Sequence, residues 1–256
     1  MNFFQKVGAS TIEKITEFGK FCLFLFNSVK CILTPRWYSK AILKQLLEIG
    51  FYSLPVVGLT AVFTGGVLAL QTYAGSSKFG TDITIPTVVA LGITRELGPV
   101  LVGLMVAGRI AASIAAEIGT MRVTEQIDAL RTLSTNPFRY LVAPRIISAT
   151  ITLPILVLIA DIIGILGGSL TSVFSLKINF IRYMNVTLDF LTMPDITSGL
   201  IKSTVFGFVI ALVGCYNGYN SKGGAEGVGR ATTNAVVQSS IIILCLNYLM
   251  TELFFV

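Results

Sequence analysis

Residues 95–130 read RELGPVLVGLMVAGRIAASIAAEIGTMRVTEQIDAL. This stretch is apolar and helix-forming, yet it carries Arg95, Glu96, Arg109 and Glu117 before it passes into a short polar amphipathic segment. A charged side chain near the centre of a bilayer costs about 3 kcal/mol on insertion scales, so such residues normally face a protein interior or a water-filled cavity. The stretch therefore predicts a membrane protein with functional residues inside its spans, and not a helix that only anchors the chain.

Composition places the chain among polytopic membrane proteins. Hydrophobic residues make up 54% of its 256 residues and charged residues only 12%, whereas soluble domains usually carry about 25% charged residues. A bundle of spans of about 20 residues each leaves no room for a separate soluble catalytic domain of typical size. The sequence therefore predicts one all-α membrane domain.

Residue usage excludes several classes of function. The chain contains no histidine, which removes His-based acid/base catalysis, Ser/His and Cys/His nucleophile pairs and His-ligated metal sites. Its four cysteines form no C-x-x-C pair and indicate small buried hydrophobic residues, not ligands. The net charge of +6 comes from scattered basic residues, which argues against a nucleic-acid partner. We expect no catalytic residue, cofactor or metal in this chain, and a membrane enzyme is the least favoured class.

Helical periodicity and hydropathy divide the chain into two regions. In residues 1–40, apolar residues from Ile12 to Leu33 recur every three to four positions and are interrupted by lysines, as in an amphipathic helix that lies in the membrane interface. A poorly inserted first span is the alternative. Residues 41–256 form the predicted transmembrane domain, with five spans at about 49–73, 96–119, 145–174, 197–216 and 231–253.

The basic residues predict the orientation of these spans. An odd number of spans places the termini on opposite sides, and cytoplasmic loops carry an excess of lysine and arginine. With a cytoplasmic N-terminus, thirteen basic residues lie inside, namely Lys6, Lys14, Lys20, Lys30, Arg36, Lys40, Lys44, Arg122, Arg131, Arg139, Arg145, Lys222 and Arg230. Outside lie only Lys78, Lys177 and Arg182. We therefore predict a cytoplasmic N-terminus and a periplasmic C-terminus.

Small residues at four-residue spacing predict close packing between spans. The pattern occurs at Ala61 and Gly65, at Gly164 and Gly168, and in two rows of the second span, Ala107, Ala111 and Ala115 beside Gly108, Ala112 and Ala116. Such patterns let helix backbones approach each other closely. The third predicted span is longer than a bilayer core, so we expect it to tilt or to kink at Pro154.

A short amphipathic helix near residues 122–134 is predicted on the cytoplasmic side. Its apolar face would consist of Val123, Ile127, Leu130 and Leu133. Thr124 would cap it, Glu125 would lie in its first turn, and Asn136-Pro137 would end it. Such a helix suits docking into a groove of a partner protein, although a helix lying on the bilayer is the alternative. No G-x-x-x-x-G-K-[ST] motif occurs, so any ATP that drives transport binds another subunit.

Three long segments carry a family resemblance. They are LGITRELGPVLVGLMVAGRIAASIAAEIGTMRVTEQIDAL, NPFRYLVAPRIISATITLPILVLIADIIGILGG and NGYNSKGGAEGVGRATT. In this order they resemble the MlaE (YrbE) family of ABC transporter permeases, from about residue 51 to residue 254. The resemblance implies a homodimeric inner-membrane permease of a Gram-negative type bacterium, with five spans per protomer after an interfacial helix.

The same resemblance implies function and partners. The family moves glycerophospholipid between inner and outer membranes and so maintains the lipid asymmetry of the outer membrane. Its partners are an MlaF-like ATPase, which would bind ATP and Mg, an MlaB-like STAS protein and an MlaD-like MCE protein in the periplasm. The chain itself would be a transporter subunit without enzymatic activity.

Candidate site residues follow from the motif match. The resemblance places Arg95, Glu96 and a basic residue of the fourth span, Lys202, near the lipid headgroup, and Arg suits phosphate because its planar fork makes paired hydrogen bonds. The alternative is that Arg95 and Glu96 only neutralise each other. Further candidate lipid contacts on the first span are Leu68, Leu70, Gln71 and Tyr73. The predicted ATPase contact comprises Glu117, Met121, Val123, Glu125, Gln126, Ile127, Asp128 and Leu130.

One departure from the family pattern concerns the last span. Some relatives have an acidic residue where this chain has the uncharged Asn247. A polar network at that place must therefore be neutral or use Glu252. A different class of function, a stand-alone secondary transporter or channel, would use Arg109 and Asp161 as an ion path, and the two could instead pair as structural contacts between spans.

Overall fold

The computed structural model describes residues 3–34, 38–76 and 84–255, which form helices and turns but no strand. Arg36 and Lys78, which entered the orientation prediction, lie outside the described residues. The α-helices are α1 Phe3–Leu33, α2 Ser39–Ile49, α3 Leu54–Ser76, α4 Thr84–Gly92, α5 Gly98–Val106, α6 Ala112–Val123, α7 Gln126–Thr132, α8 Ala143–Phe174, α9 Phe180–Phe190, α10 Met193–Tyr219 and α11 Gly224–Phe255.

Five helical segments of the described residues are long and apolar enough to cross a membrane. They cover Ser39–Gly75, Ile85–Val123, Phe138–Phe174, Met193–Tyr219 and Gly224–Phe255. Their number and order confirm the predicted all-α polytopic architecture. Helix α1 precedes them, and its exposed apolar side chains, among them Ile12, Phe18 and Phe26, are of the kind that an interfacial helix turns toward the acyl chains.

The second span begins at Ile85 and not near Glu96. The apolar run of α4 leads directly into the charged segment, which therefore lies inside the span and does not mark its start. Charged residues that are solvated by water mark the end of a span. Charged residues that form ion pairs or hydrogen bonds within the protein can lie inside the membrane. Both Arg95 and Glu96 have such partners, as described below.

Helical geometry widens at three π-turns, Ile93–Leu97, Ala107–Ala111 and Phe138–Val142. The first has a cause in the sequence, because Pro99 has no N–H and its ring clashes with the carbonyl four residues earlier, that of Arg95. The Gly98 N–H bonds instead to the Ile93 carbonyl, five residues back. Pro144 follows the third turn closely in the same way. Such π-turns often lie at functional sites.

The first and third spans touch through their backbones. Helix α3 packs along α8, and α8 packs in turn on α10. A methyl group added to Gly65 would overlap the carbonyl oxygen of Gly164, and one added to Gly167 would meet the carbonyl of Val62. This confirms the close packing predicted from Gly65 and Gly164. Pro154 lies inside α8, which continues past it to Phe174.

One of the two predicted rows of small residues in the second span is fully buried within the chain. Ala107, Ala111 and Ala115 are fully buried against α10, where Gly214 lies close to the Ala111 carbonyl. The other row is less covered within the chain: Gly108 is exposed, and Ala112 and Ala116 are only partly buried, so for this row the packing stays a prediction. The two rows lie side by side on the helix, and α10 covers just the first.

Aromatic side chains attach α1 to the bundle. The ring of Phe24 lies 5.1 Å from that of Phe138, 5.5 Å from that of Tyr216 and 5.8 Å from that of Tyr219. Aromatic pairs at such distances add about 0.5–1.5 kcal/mol each to the burial of apolar surface. Helix α1 is therefore fixed to the end of α10 and to the start of the third span.

Replacing Gly65 should destabilise the fold. The Gly65→Ala variant adds a methyl group against the backbone of α8, where no side chain can move aside, and overpacking of this kind costs about 1–3 kcal/mol. We expect a lower midpoint of thermal unfolding in detergent. The matched control is Gly75→Ala in the same helix, which has open space around it; equal midpoints for the two variants would contradict the contact.

Candidate functional site

The centre of the candidate site is the ammonium group of Lys202 in α10. The side chain is 0% exposed, and its Nζ donates to Glu96 Oε1 at 2.7 Å, to the Arg95 carbonyl oxygen at 2.9 Å and to Thr251 Oγ1 at 2.8 Å. An ammonium group has three N–H donors. All three are therefore used, which is the condition under which a buried charge is tolerated.

The Arg95 carbonyl is available to Lys202 because of the proline in RELGP. In a regular helix this carbonyl would accept the N–H of residue 99, but Pro99 has none. A buried carbonyl without a partner is costly. The Lys202 ammonium supplies the missing donor, so one side chain neutralises Glu96 and also completes the backbone hydrogen bonding of the π-turn.

One face of α11 closes the other side of Glu96. Asn247, Thr251 and Phe255 are spaced by four residues and share this face. Asn247 Nδ2 donates to Glu96 Oε2 at 2.9 Å, and the Thr251 hydroxyl lies 2.9 Å from Glu96 Oε1. The uncharged Asn247 thus belongs to the network as a donor, and Glu252 is exposed and does not replace it.

Arg95 has a separate partner, Asp195, at the start of α10. Arg95 Nε donates to Asp195 Oδ1 at 2.7 Å, and Nη2 lies 2.5 Å from the same oxygen. The other oxygen, Oδ2, accepts from the Thr192 backbone N–H at 2.9 Å, which is one half of a capping box, and also from the Thr192 hydroxyl at 2.7 Å. The Arg95 guanidinium also lies over the ring of Phe255, 4.4 Å from its centre.

The structure replaces one predicted ion pair with two. The alternative that Arg95 and Glu96 neutralise each other was wrong, because adjacent residues on a helix point in different directions. Arg95 pairs with Asp195 and Glu96 with Lys202. The group of four contains two positive and two negative charges and has no net charge.

Exposure separates the two cations of this group. The Arg95 side chain is 36% exposed and the Glu96 side chain 38%, whereas Lys202 is fully buried. Lys202 therefore does not reach the surface, contrary to its predicted place near a headgroup at the outer end of the span. A ligand that approaches the cluster therefore meets Arg95 and Glu96. Lys202 binds Glu96 from the buried side of the cluster.

Four residues of this site were not among the candidates from sequence. They are Thr192, Asp195, Thr251 and Phe255. A signal existed for the first two, because Thr192 and Asp195 have the spacing of a capping box directly before an apolar run. The i, i+4, i+8 spacing from Asn247 to Phe255 also marks one helix face, but nothing in it names Glu96 as the target.

The candidate lipid contacts of α3 divide by exposure. Leu68 is partly buried and packs with the small apolar cluster around Val89 and Ile93. Leu70, Gln71 and Tyr73 are exposed on α3. Leu68 thus borders the helix that leads into the π-turn of Arg95, and the other three face away from the core.

At the far end of the second span, the predicted amphipathic helix is shorter than expected. Helix α7 begins at Gln126, because Glu125 takes the left-handed conformation with φ of 60° and separates α7 from α6. The predicted cap was wrong: the Thr124 hydroxyl bonds back to the Thr120 carbonyl at 2.8 Å, and Glu125 stands at the cap position, not in the first turn. Val123 therefore belongs to α6.

The apolar face of α7 points into its own chain. Ile127 is 0% exposed and Leu130 is partly buried, while Leu133 is 75% exposed. The predicted continuous apolar face was therefore wrong at both of its ends. The surface that α7 leaves accessible is mostly polar and includes Glu125 and Gln126.

Ion pairs, a hydrogen bond and apolar packing fix α7 and the end of the second span to the bundle. Asp128 accepts from Arg122 at 2.8 and 2.9 Å, and Arg131 donates to the Tyr219 hydroxyl at 2.5 Å. Glu117 lies 2.7 Å from the buried Arg145, and Met121 packs against the main core. Of the predicted partner contacts, Glu117, Met121, Ile127 and Asp128 are thus engaged within the chain.

Arg109 and Asp161 do not pair. Arg109 donates to the Glu48 carbonyl and so joins the second span to α2. Asp161 is buried in α8 and makes no ion pair in the part of the chain that the structure describes. The predicted contact between them was therefore wrong.

Comparison with known proteins agrees with this architecture. The chain matches the family described as Permease MlaE over residues 42–253. It is 58% identical over 255 residues to a probable ABC transporter permease protein of Rickettsia felis, covering 100% of this chain and 98% of the relative. It is 32% identical over 256 residues, again covering 100% and 98%, to the intermembrane phospholipid transport system permease protein MlaE of Haemophilus influenzae. A chloroplastic relative, protein TRIGALACTOSYLDIACYLGLYCEROL 1 of Arabidopsis thaliana, is 38% identical over 226 residues, which are 88% of this chain and 64% of the relative.

Removing the Lys202 charge should destabilise the protein strongly. The Lys202→Met variant leaves Glu96 without its cation and the Arg95 carbonyl without a donor, and breaking a buried pair costs about 3–5 kcal/mol. Thermal unfolding in detergent should show a large drop in the midpoint, partly restored by Glu96→Gln in the same chain. Lys44→Met, which breaks the exposed pair with Glu48, should cost less than about 1 kcal/mol; a similar loss in both variants would contradict a special role of Lys202.

Proposed function

The chain belongs to the MlaE permease family, and from this premise we propose that it is the permease subunit of an ATP-driven ABC transporter for phospholipids. The transporter would move phospholipid between the inner and outer membranes and so maintain the lipid asymmetry of the outer membrane. The Haemophilus influenzae relative, whose similarity covers the whole of this chain, is an intermembrane phospholipid transport permease by name, which supports the choice of substrate. The observation that carries the proposal here is the accessible Arg95 in a charge cluster within a membrane span.

The proposed headgroup site is the accessible side of that cluster. A phospholipid carries a phosphate, and a guanidinium binds phosphate with paired, charge-assisted hydrogen bonds. Arg95 is partly exposed, and the ring of Phe255 on one side and Asp195 on the other hold its guanidinium in place. Lys202 acts indirectly, by holding Glu96 and the π-turn from which Arg95 projects.

The acyl chains would lie along the first span. Leu70, Gln71 and Tyr73 are exposed on α3, and Leu68 contacts the helix that leads to Arg95, since it lies close to Gly92. A lipid tail in the bilayer is already out of water, so it would lie against these apolar side chains through van der Waals packing. We propose these four residues as the acyl and upper headgroup contacts.

The proposed contact with the ATPase lies at α7 and the end of α6. ATP and Mg would bind the partner, because the chain carries no phosphate-cradling loop. Since Ile127 and Asp128 are engaged within the chain, the partner would meet the polar surface around Glu125 and Gln126. Movement of α7 would reach α10 through Arg131 and Tyr219. Helix α10 runs without interruption from Tyr219 back to Lys202, so both proposed sites act on one helix.

Assembly and orientation complete the proposal. We place the chain in the inner membrane as a homodimer, with a cytoplasmic N-terminus and a periplasmic C-terminus, together with an MlaF-like ATPase, an MlaB-like STAS protein and an MlaD-like MCE protein. Polar residues on the exposed face of α11, among them Asn234 and Gln238, support contact with a second protomer, because polar groups within membrane spans normally face protein or water.

Truncation of Arg95 should release lipid without dissolving the fold. Arg95→Ala removes charge-assisted hydrogen bonds worth about 1.5–3 kcal/mol, so phospholipid that co-purifies with the complex should fall about tenfold or more by mass spectrometry. Arg95→Lys should give an intermediate loss. The exposed Arg182→Ala is the matched control and should retain lipid.

Stability must be separated from binding in this experiment, because Asp195 is buried and loses its cation. The double variant Arg95→Ala/Asp195→Asn removes both charges and should bind as little lipid as the single variant while unfolding nearer to the wild-type midpoint. Unchanged lipid occupancy in the double variant would show that the headgroup role of Arg95 is wrong.

Charge reversal at Glu125 should uncouple ATP hydrolysis from lipid transfer. Glu125 is exposed at the start of α7, so Glu125→Lys changes the proposed docking surface without breaking the Arg122–Asp128 pair, which a reversal at Asp128 would break. In proteoliposomes with the complete complex, lipid transferred per ATP should fall about tenfold, as expected when an interface loses about 1.4 kcal/mol. Glu226→Lys makes the same change at an exposed position outside α7 and is the control; wild-type coupling in Glu125→Lys would refute the proposed contact.

A further inference from the structure

Asp161 is a buried carboxyl group that the proposed lipid and ATPase sites do not use. It lies in α8 with 6% of its surface exposed, and its Oδ1 atom has no hydrogen-bond partner in the described part of the chain. This oxygen faces the backbone of Gly98, just after the first π-turn, where an added methyl group would overlap it. Its neighbour Ala160 and Gly98 line a small apolar cavity of about 20 Å³ between α3, α5 and α8, which has room for about one water molecule.

Within the described residues, no basic side chain interacts with this carboxyl group. Helices α3, α4 and α5 contain no acidic or basic residue. Of the other helices that pack on α8, α2 and α9 carry their basic residues Lys40, Lys44 and Arg182 on exposed positions. Helix α10 carries Asp195 and Lys202, both paired as described above. The two charged residues of the adjacent π-turn are already paired, Arg95 with Asp195 and Glu96 with Lys202. The other charged residue of α8 is Arg145, about 24 Å away along the helix, and it pairs with Glu117. Tyr73 is the titratable group of α3, and it is exposed near the far end of that helix.

An ionised carboxylate in such a place would lack a cation, and its Oδ1 would lack both water and a hydrogen-bond donor. Charges in this situation are avoided by taking up or releasing a proton. We propose that Asp161 is a proton-binding site in the membrane interior, where the carboxyl group stays protonated as long as α8 covers the first π-turn. The ligand of the site is a proton exchanged with water, and the cavity beside Ala160 is the place where water would enter for its release.

This inference is independent of the lipid and ATPase proposals, since it rests only on the surroundings of one carboxyl group. It separates Asp161 from the four charges around Lys202. Those residues are ions held by partners, whereas Asp161 would be a neutral acid without one. The two kinds of carboxyl group differ in reactivity, which makes the distinction measurable.

Dicyclohexylcarbodiimide in membranes that contain the full chain tests the proposal. This apolar reagent reacts with a protonated carboxyl group, whose O–H adds across a C=N bond to give an acylisourea that rearranges to a stable acylurea. At about pH 8 an exposed aspartate with an ordinary pKa of about 3.9 retains about one proton in 10,000. We expect mass spectrometry to find the adduct on the peptide with Asp161 at this pH, and to find none on the peptides with Glu96 and Asp195.

Two controls make the result decisive. Asp161→Asn, which is close to isosteric, should lose the adduct completely, and a water-soluble carbodiimide should label the exposed Asp189 but not Asp161. If Asp161→Asn fails to fold, the labelling of the unaltered chain still decides. No adduct at Asp161 at about pH 8, with apolar reagent demonstrably present in the membrane, would overturn the proposal, as would equal labelling of Asp161 and Asp189 by the water-soluble reagent.

Discussion

The fold and the candidate site both depend on the burial of one ammonium group. Lys202 can lie without exposure inside a membrane span only because three acceptors, from the side chain of Glu96, the carbonyl of Arg95 and the hydroxyl of Thr251, surround it. These acceptors come from the second and fifth spans, so the lysine joins both spans to α10. By binding the Arg95 carbonyl and the Glu96 carboxylate, Lys202 also positions these two residues, which form the accessible surface of the cluster.

Much of the fold could be predicted from the sequence, because hydropathy and small-residue spacing are local signals. The five spans, and the close packing at Gly65 and at Gly164, follow from such signals, although their contact with each other does not. The start of the second span did not follow, since Arg95 and Glu96 were taken as its boundary. A charged residue ends a span only if it lacks a partner inside the protein. The partners of Arg95 and Glu96 are about 100 residues away in sequence, so a local pattern does not reveal them.

The candidate site also depends on contacts between residues that are distant in sequence, which local patterns do not predict. Adjacent residues on a helix cannot face each other, so a pair between Arg95 and Glu96 could have been excluded from sequence. Which residues they contact instead could not be inferred, because Asp195 and Lys202 are about 100 residues away and the packing of three spans selects them. Helix α7 is a second example: its pattern identified an apolar face, but amphipathicity does not tell whether a partner or the same chain covers it, and here Ile127 packs on its own bundle.

The glycine contacts of the bundle also bear on how the protein is made. Gly65 and Gly167 join α3 to α8, Gly207 places α10 on the carbonyl of Ala149 in α8, and Gly214 places it near the carbonyl of Ala111. Four spans are thus joined backbone to backbone, and α11 adds the side chains of Asn247 and Thr251 to the cluster around Glu96. Chains assemble from the N-terminus during synthesis, and α11 is the last of the five spans to leave the ribosome. When it emerges, the other spans can already have closed against one another, and its insertion beside Glu96 is the step that completes the surroundings of Lys202.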